Sequence, residues 1–83
     1  MSMNGHIEPR IVLGLLLGNK PSMGRKLTTA RFLGNKVGRQ PFSVGYLENI
    51  VAGRQIPPPG GDMHKALELV IDEIVTALLE KIN

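Results

Sequence analysis

Ser43–Pro57 reads SVGYLENIVAGRQIP. Ser43 is a helix-capping residue, since its hydroxyl can accept from a free N–H of the first turn. Val44, Leu47, Ile50 and Val51 recur at helical spacing and give the segment one apolar face. Gly53 ends it, because glycine adopts the left-handed conformation that closes a helix. Pro57-Pro58-Pro59 then favours a stiff, extended path, and Gly60-Gly61 releases it. The stretch predicts a helix of about two turns, with a firm stop at each end.

Upstream, GRQPF (Gly38–Phe42) reads as a turn. A second helix is expected between Gly24 and Val37, with Leu27, Ala30, Leu33 or Phe32, and Val37 on its apolar stripe. A first helix begins near Pro9, whose missing N–H is harmless in the first turn. Glu8 suits the positive end of its dipole. Ile11 and Leu15, with Leu16 or Val12, give its buried face, and Gly18-Asn19 stops it ahead of Pro21. The letters LGNK occur at Leu17–Lys20 and again at Leu33–Lys36. Two copies do not make a repeat architecture, and they read as two helices ending with similar chemistry. Downstream, Asp62 caps a last helix reaching about Lys81. Its apolar positions are too many for one core-facing stripe. One edge follows Leu67, Val70, Ile71, Ile74 and Leu78, and the other Ile71, Val75, Leu79 and Ile82. No segment alternates as a strand does. The expected fold is all-α, a compact domain of four helices, or five, with a long C-terminal helix.

The 83 residues make one domain of ordinary globular composition, 42% hydrophobic and 20% charged. Residues 9–61 form its expected core, and 62–83 the helix for packing and self-association. There is no cysteine, so neither a disulfide scaffold nor a thiolate metal site is available. His6 and His64 lie far apart and are expected to be solvated. IVLGLLLG (Ile11–Gly18) is far shorter than the roughly 20 residues that span a bilayer and reads as a buried helix. The N-terminus lacks the pattern of a secretory leader, so a cytoplasmic location without membrane partners is expected. No nucleophile–base pairing, metal constellation or phosphate-binding loop is present, and GNKPSMGRK lacks Walker spacing. Neither enzymatic activity, a cofactor nor a small-molecule ligand is expected. Charge divides along the chain. Met1–Ile56 carries eight Lys/Arg and two acids, whereas Pro57–Asn83 carries two lysines and five acids. A basic half suggests a polyanionic partner.

A short capped helix after a glycine turn and a preceding helix is the pattern of a helix-turn-helix. The residues Ser43, Tyr46, Leu47, Ile50, Gly53, Arg54 and Pro57 resemble the recognition helix and following loop of the lambda-repressor-like, Xre/Cro-type DNA-binding domains. Upstream, Ala30, Leu33 and Gly34 resemble the end of that family's second helix, and Lys65-Ala66-Leu67 the start of its next one. The resemblance covers about Leu27 to Leu67. It departs from the family in the turn, where eight residues, Asn35–Phe42, separate Gly34 from Ser43. Either the helix ends at Gly34 and a long loop follows, or it runs to Val37. In the second case Gly38 makes the turn and Gly34 is the small residue where two helices cross. The second account adds fewer residues to the turn and is favoured.

What the resemblance implies is binding to double-stranded DNA, as a small transcriptional regulator of bacterial, phage or plasmid type. The N-terminal end of a recognition helix enters the major groove, so it must carry short or unobtrusive side chains. Ser43, Val44 and Gly45 fit. Gly45 is either a point of close backbone approach or simply a tolerated glycine. Gln40 and Asn49 are further candidates for base contact. Arg25, Lys26, Arg39 and Arg54 suit phosphates. Tyr46 either bonds a phosphate or packs as a partly buried ring. Homodimerisation is expected through Val75, Leu79 and Ile82, since the chain is too short to cover both edges of its last helix. A helical adaptor that contacts proteins is the alternative, and an architectural DNA binder without sequence preference a third.

Overall fold

The computed structural model describes residues 7–82, so His6 lies outside the described residues. Four helices follow in order: α1 (Pro9–Leu17), α2 (Met23–Lys36), α3 (Val44–Val51) and α4 (Asp62–Ile82). No strand occurs among the described residues, and no described helix is long and apolar enough to cross a membrane.

In α1, Pro9 takes the first helical position and Gly18 closes the helix at φ +81°. Lys20, rather than Asn19, adopts the left-handed conformation after it, at φ +49°. Val12, Leu13 and Leu17 turn inward, whereas Ile11 and Leu15 face out. The expected face is therefore rotated. The run from Ile11 to Leu17 is apolar nearly all round, so its periodicity selects no single face. The neighbouring helices choose it.

Ser22 caps α2 by accepting from the Arg25 N–H at 3.1 Å. The helix runs through Gly34 to Lys36, so the second LGNK is its last turn, whereas of the first LGNK only Leu17 is helical. Gly38, at φ +67°, is the turn residue. Its N–H donates to Asn35 O, and the Arg39 N–H to Gly34 O, the two bonds of a Schellman closure. The same closure ends α3, with Gly53 at φ +82°, its N–H donating to Ile50 O and the Arg54 N–H to Asn49 O. Both closures use the tripeptide Gly-Arg-Gln, at 38–40 and 53–55.

The chain then doubles back along α2, and the Phe42 N–H donates to Ala30 O. A Cβ on Gly34 would stand 2.7 Å from Gln40 O and 3.1 Å from Pro41 Cα. Gly34 thus makes room for the returning backbone, not for a crossing helix. The inward side of α2 is Thr29, Ala30, Leu33 and Gly34. Leu27 and Phe32 are exposed.

Ser43 caps α3, accepting from the Tyr46 N–H at 3.1 Å. Leu47 and Ile50 are buried, and Val44 and Val51 half-buried. Beyond α3, Pro58–Gly61 forms a turn closed by the Gly61 N–H on Pro58 O, with Gly60 at φ +81° as the third residue of a type II turn requires. The centre of the core is Leu13, Leu33, Leu47, Ile50, Met63 and Leu67, all fully buried. His64 is buried too, only 8% exposed, with Nδ1 3.3 Å from the Glu68 carboxylate. The expectation of a solvated histidine is corrected: His64 shares the inward side of α4 with Met63 and Leu67. From Asp72 onward every residue of α4 is exposed.

Candidate nucleic-acid interface

The outer face of α3 follows from its inner one. With Leu47 and Ile50 inward, Gly45, Glu48, Asn49 and Ala52 lie opposite, at i, i+3, i+4 and i+7. Ser43, Gly45 and Ala52 are exposed, and Glu48 and Asn49 half-buried. A Cβ on Gly45 would meet nothing within 4 Å. The face therefore has an open, flat patch at its N-terminal end and a small alanine at the other. Val44 stands half-buried at the side of this face, and Gln40 is exposed in the turn before it. Tyr46 is half-buried with its ring 6.2 Å from that of Phe42, so the packed-ring alternative describes its ring.

Asn49 is committed elsewhere. Its Oδ1 accepts from Arg54 Nε at 2.9 Å, its Nδ2 donates to Gln55 Oε1 at 2.9 Å, and its carbonyl takes two backbone bonds from the same loop. Asn49 ties the loop to the helix and carries Arg54 along the edge of the face.

The four expected phosphate cations differ in their partners. Arg25 donates through Nε and Nη2 to Leu16 O, at 3.2 and 2.9 Å. Arg54 donates to the neutral Asn49 amide. These bonds orient the guanidinium groups without neutralising them. Lys26 instead pairs with Glu48 at 2.7 Å. Arg39 pairs with Asp62 at 3.3 Å and stacks over the Phe42 ring at 4.2 Å. A fifth cation, Lys36, reaches both Glu73 oxygens and lies 4.9 Å from the centre of the Phe32 ring.

The charge division along the sequence is thus only partly a division in space. Two acids of the C-terminal half, Asp62 and Glu73, fold back onto cations of the basic half. Glu48 is the residue of this face that reading the sequence missed. Its signal was the position three residues after Gly45 and four before Ala52. Val75, Leu79 and Ile82 are exposed on distal α4, together with Ile74 and Leu78. Among the described residues, no group of three or more His, Cys, Asp or Glu could hold a metal ion.

No protein-family model, curated protein or solved structure matches this chain.

Proposed function

We propose that the protein binds double-stranded DNA in a sequence-specific manner, as a small transcriptional regulator of bacterial, phage or plasmid type. The observation that carries the reading is the outer face of α3, capped by Ser43, open over Gly45 and edged by Arg54. A major groove about 12 Å wide admits an α-helix, and a flat N-terminal patch lets the backbone come close. Ser43, Val44, Gly45 and Gln40 are the base-contact candidates at that end. Arg25 and Arg54 are the leading phosphate contacts, because only neutral acceptors hold them. Lys26 and Arg39 rank lower, since each would exchange a carboxylate for a phosphate.

The protein acts as a homodimer in this reading. Ile74, Val75, Leu78, Leu79 and Ile82 form one apolar stripe, each about half exposed or more. On two copies the stripe amounts to on the order of 1,000 Å², the lower bound of a specific interface. Such a patch is an association surface on a small protein. Two recognition helices roughly 34 Å apart would then read a palindrome.

A helical adaptor is the second reading. The internal pairing of Lys26, Lys36 and Arg39 favours it, because it lowers the charge offered to a polyanion. Affinity for duplex DNA as a function of salt separates the two. DNA binding requires a steep negative slope that flattens by about one unit in Arg25→Ala and in Arg54→Ala. Weak binding without salt dependence supports the adaptor instead.

A further inference from the structure

We propose that the Lys26–Glu48 ion pair reads one C·G base pair in the major groove. The inference rests on the DNA-binding reading and names what the α3 face would recognise. Three observations carry it.

The first is position. Glu48 lies between Gly45 and Ala52 on the outer face of α3, and neither neighbour projects beyond a methyl group. Asn49, the other polar side chain of that face, has both ends of its amide bonded to Arg54 and Gln55. Glu48 is therefore the side chain left to reach from the middle of the face.

The second is spare capacity. The ion pair is single-pronged, from Lys26 Nζ to Glu48 Oε2. Oε1 has no hydrogen-bond partner among the described residues, and an ammonium keeps two further N–H donors. The pair thus presents a free acceptor beside free donors. The Glu48 side chain is 41% exposed, and that of Lys26, 22% exposed, is part-buried beneath it.

The third is complementarity. A carboxylate can only accept. In the major groove, cytosine offers the N4 amino donor, whereas guanine offers the O6 and N7 acceptors and thymine the O4 acceptor. Across one C·G pair, a donor on cytosine stands beside acceptors on guanine. Glu48 accepts from cytosine N4 while Lys26 donates to guanine O6 or N7. Opposite guanine or thymine, Glu48 would face acceptors, so those bases are rejected by repulsion as well as by a lost bond. Adenine also offers an amino donor at N6, but its N7 acceptor stands beside that donor and repels a carboxylate, and its partner thymine offers Lys26 one acceptor next to a methyl group where guanine offers two. The Lys26 charge offsets the cost of bringing a carboxylate near the phosphates. Glu48 is the base-reading residue and Lys26 both holds it and contacts the partner base.

The test is enrichment of bound sites from random duplex DNA by the full chain and by Glu48→Gln and Lys26→Met, with circular dichroism confirming folded variants. The unmodified protein should require C·G at one position of each half-site. Replacing that pair should weaken binding roughly five- to a hundredfold. Glu48→Gln should shift that one position towards A·T, because an amide pairs with adenine N6 and N7, and leave the others unchanged. Lys26→Met should relax the same position and no other. Folded variants that enrich the same motif with the same preference at every position overturn the assignment while DNA recognition stands. An unmodified protein that enriches a motif without such a C·G position overturns it equally. If the unmodified protein enriches no site, sequence-specific recognition fails and this inference with it.

Discussion

Gly34 and Gly38 illustrate how two glycines four residues apart do different work. At Gly38 the backbone itself, at φ +67°, asks for glycine, and a Cβ would find open space. At Gly34 the backbone is helical, and it is the space that asks for glycine, because Gln40 and Pro41 pass directly over it. Alanine at Gly38 should cost roughly 1–2 kcal/mol, the strain of a left-handed residue. Alanine at Gly34 should cost more, about 2–3 kcal/mol, since backbone must move to admit it. Urea denaturation of both variants checks the order, and a Gly38→Ala more damaging than Gly34→Ala would contradict the packing described. The sequence makes Gly38 legible as a turn residue. It could not reveal the role of Gly34, which exists only because a segment six residues later folds back on it. Glu48 escaped notice for a related reason: an acid amid basic residues looks like an exception until Lys26 is seen beside it.

Among the elements, α3 was the most legible, because both of its ends are written in local chemistry. Ser43 and Gly53 mark them, and the apolar spacing between needs no tertiary information. Ser43→Ala should lower stability by about 1 kcal/mol through the lost cap. Leu47→Ala should cost about 2–5 kcal/mol, since that side chain is fully buried. Thermal or chemical melting measures both, and a near-neutral Leu47→Ala would remove α3 from the core. By contrast, the inward face of α1 was not legible. When Ile11, Val12, Leu13, Leu15, Leu16 and Leu17 are all apolar, period alone leaves the rotation free. The packing of α2, α3 and α4 around Leu13 fixes it. The interval between Gly34 and Ser43 was half legible. Its turn residue could be read, but the path back along α2 depends on the Phe42 N–H bond to Ala30.

At the scale of the molecule, α4 joins two functions of its own sequence. Its first half, through Met63, Leu67 and Val70, completes the core. Its second half leaves the core and carries an apolar stripe that the described residues leave exposed. The proposed dimer predicts that Val75→Glu or Leu79→Glu yields a monomer in sedimentation. The helical signal should persist, because the six fully buried residues are untouched. Binding to a palindrome should fall steeply once the half-sites are no longer linked. An unmodified protein that sediments as a monomer at micromolar concentration would contradict this arrangement. Asp62 and Glu73 also show why net charge by halves was an incomplete guide. Folding sets them on Arg39 and Lys36, which leaves the guanidinium groups of Arg25, at the end of α1, and of Arg54, beside α3, held by neutral acceptors. The central claim is that the α3 face reads sequence. The most direct test is the ratio of dissociation constants for the duplex enriched by the unmodified protein and for a scrambled duplex of equal length and composition, at physiological salt. The account predicts a preference of at least roughly a thousandfold, and equal affinity for the two duplexes would contradict it.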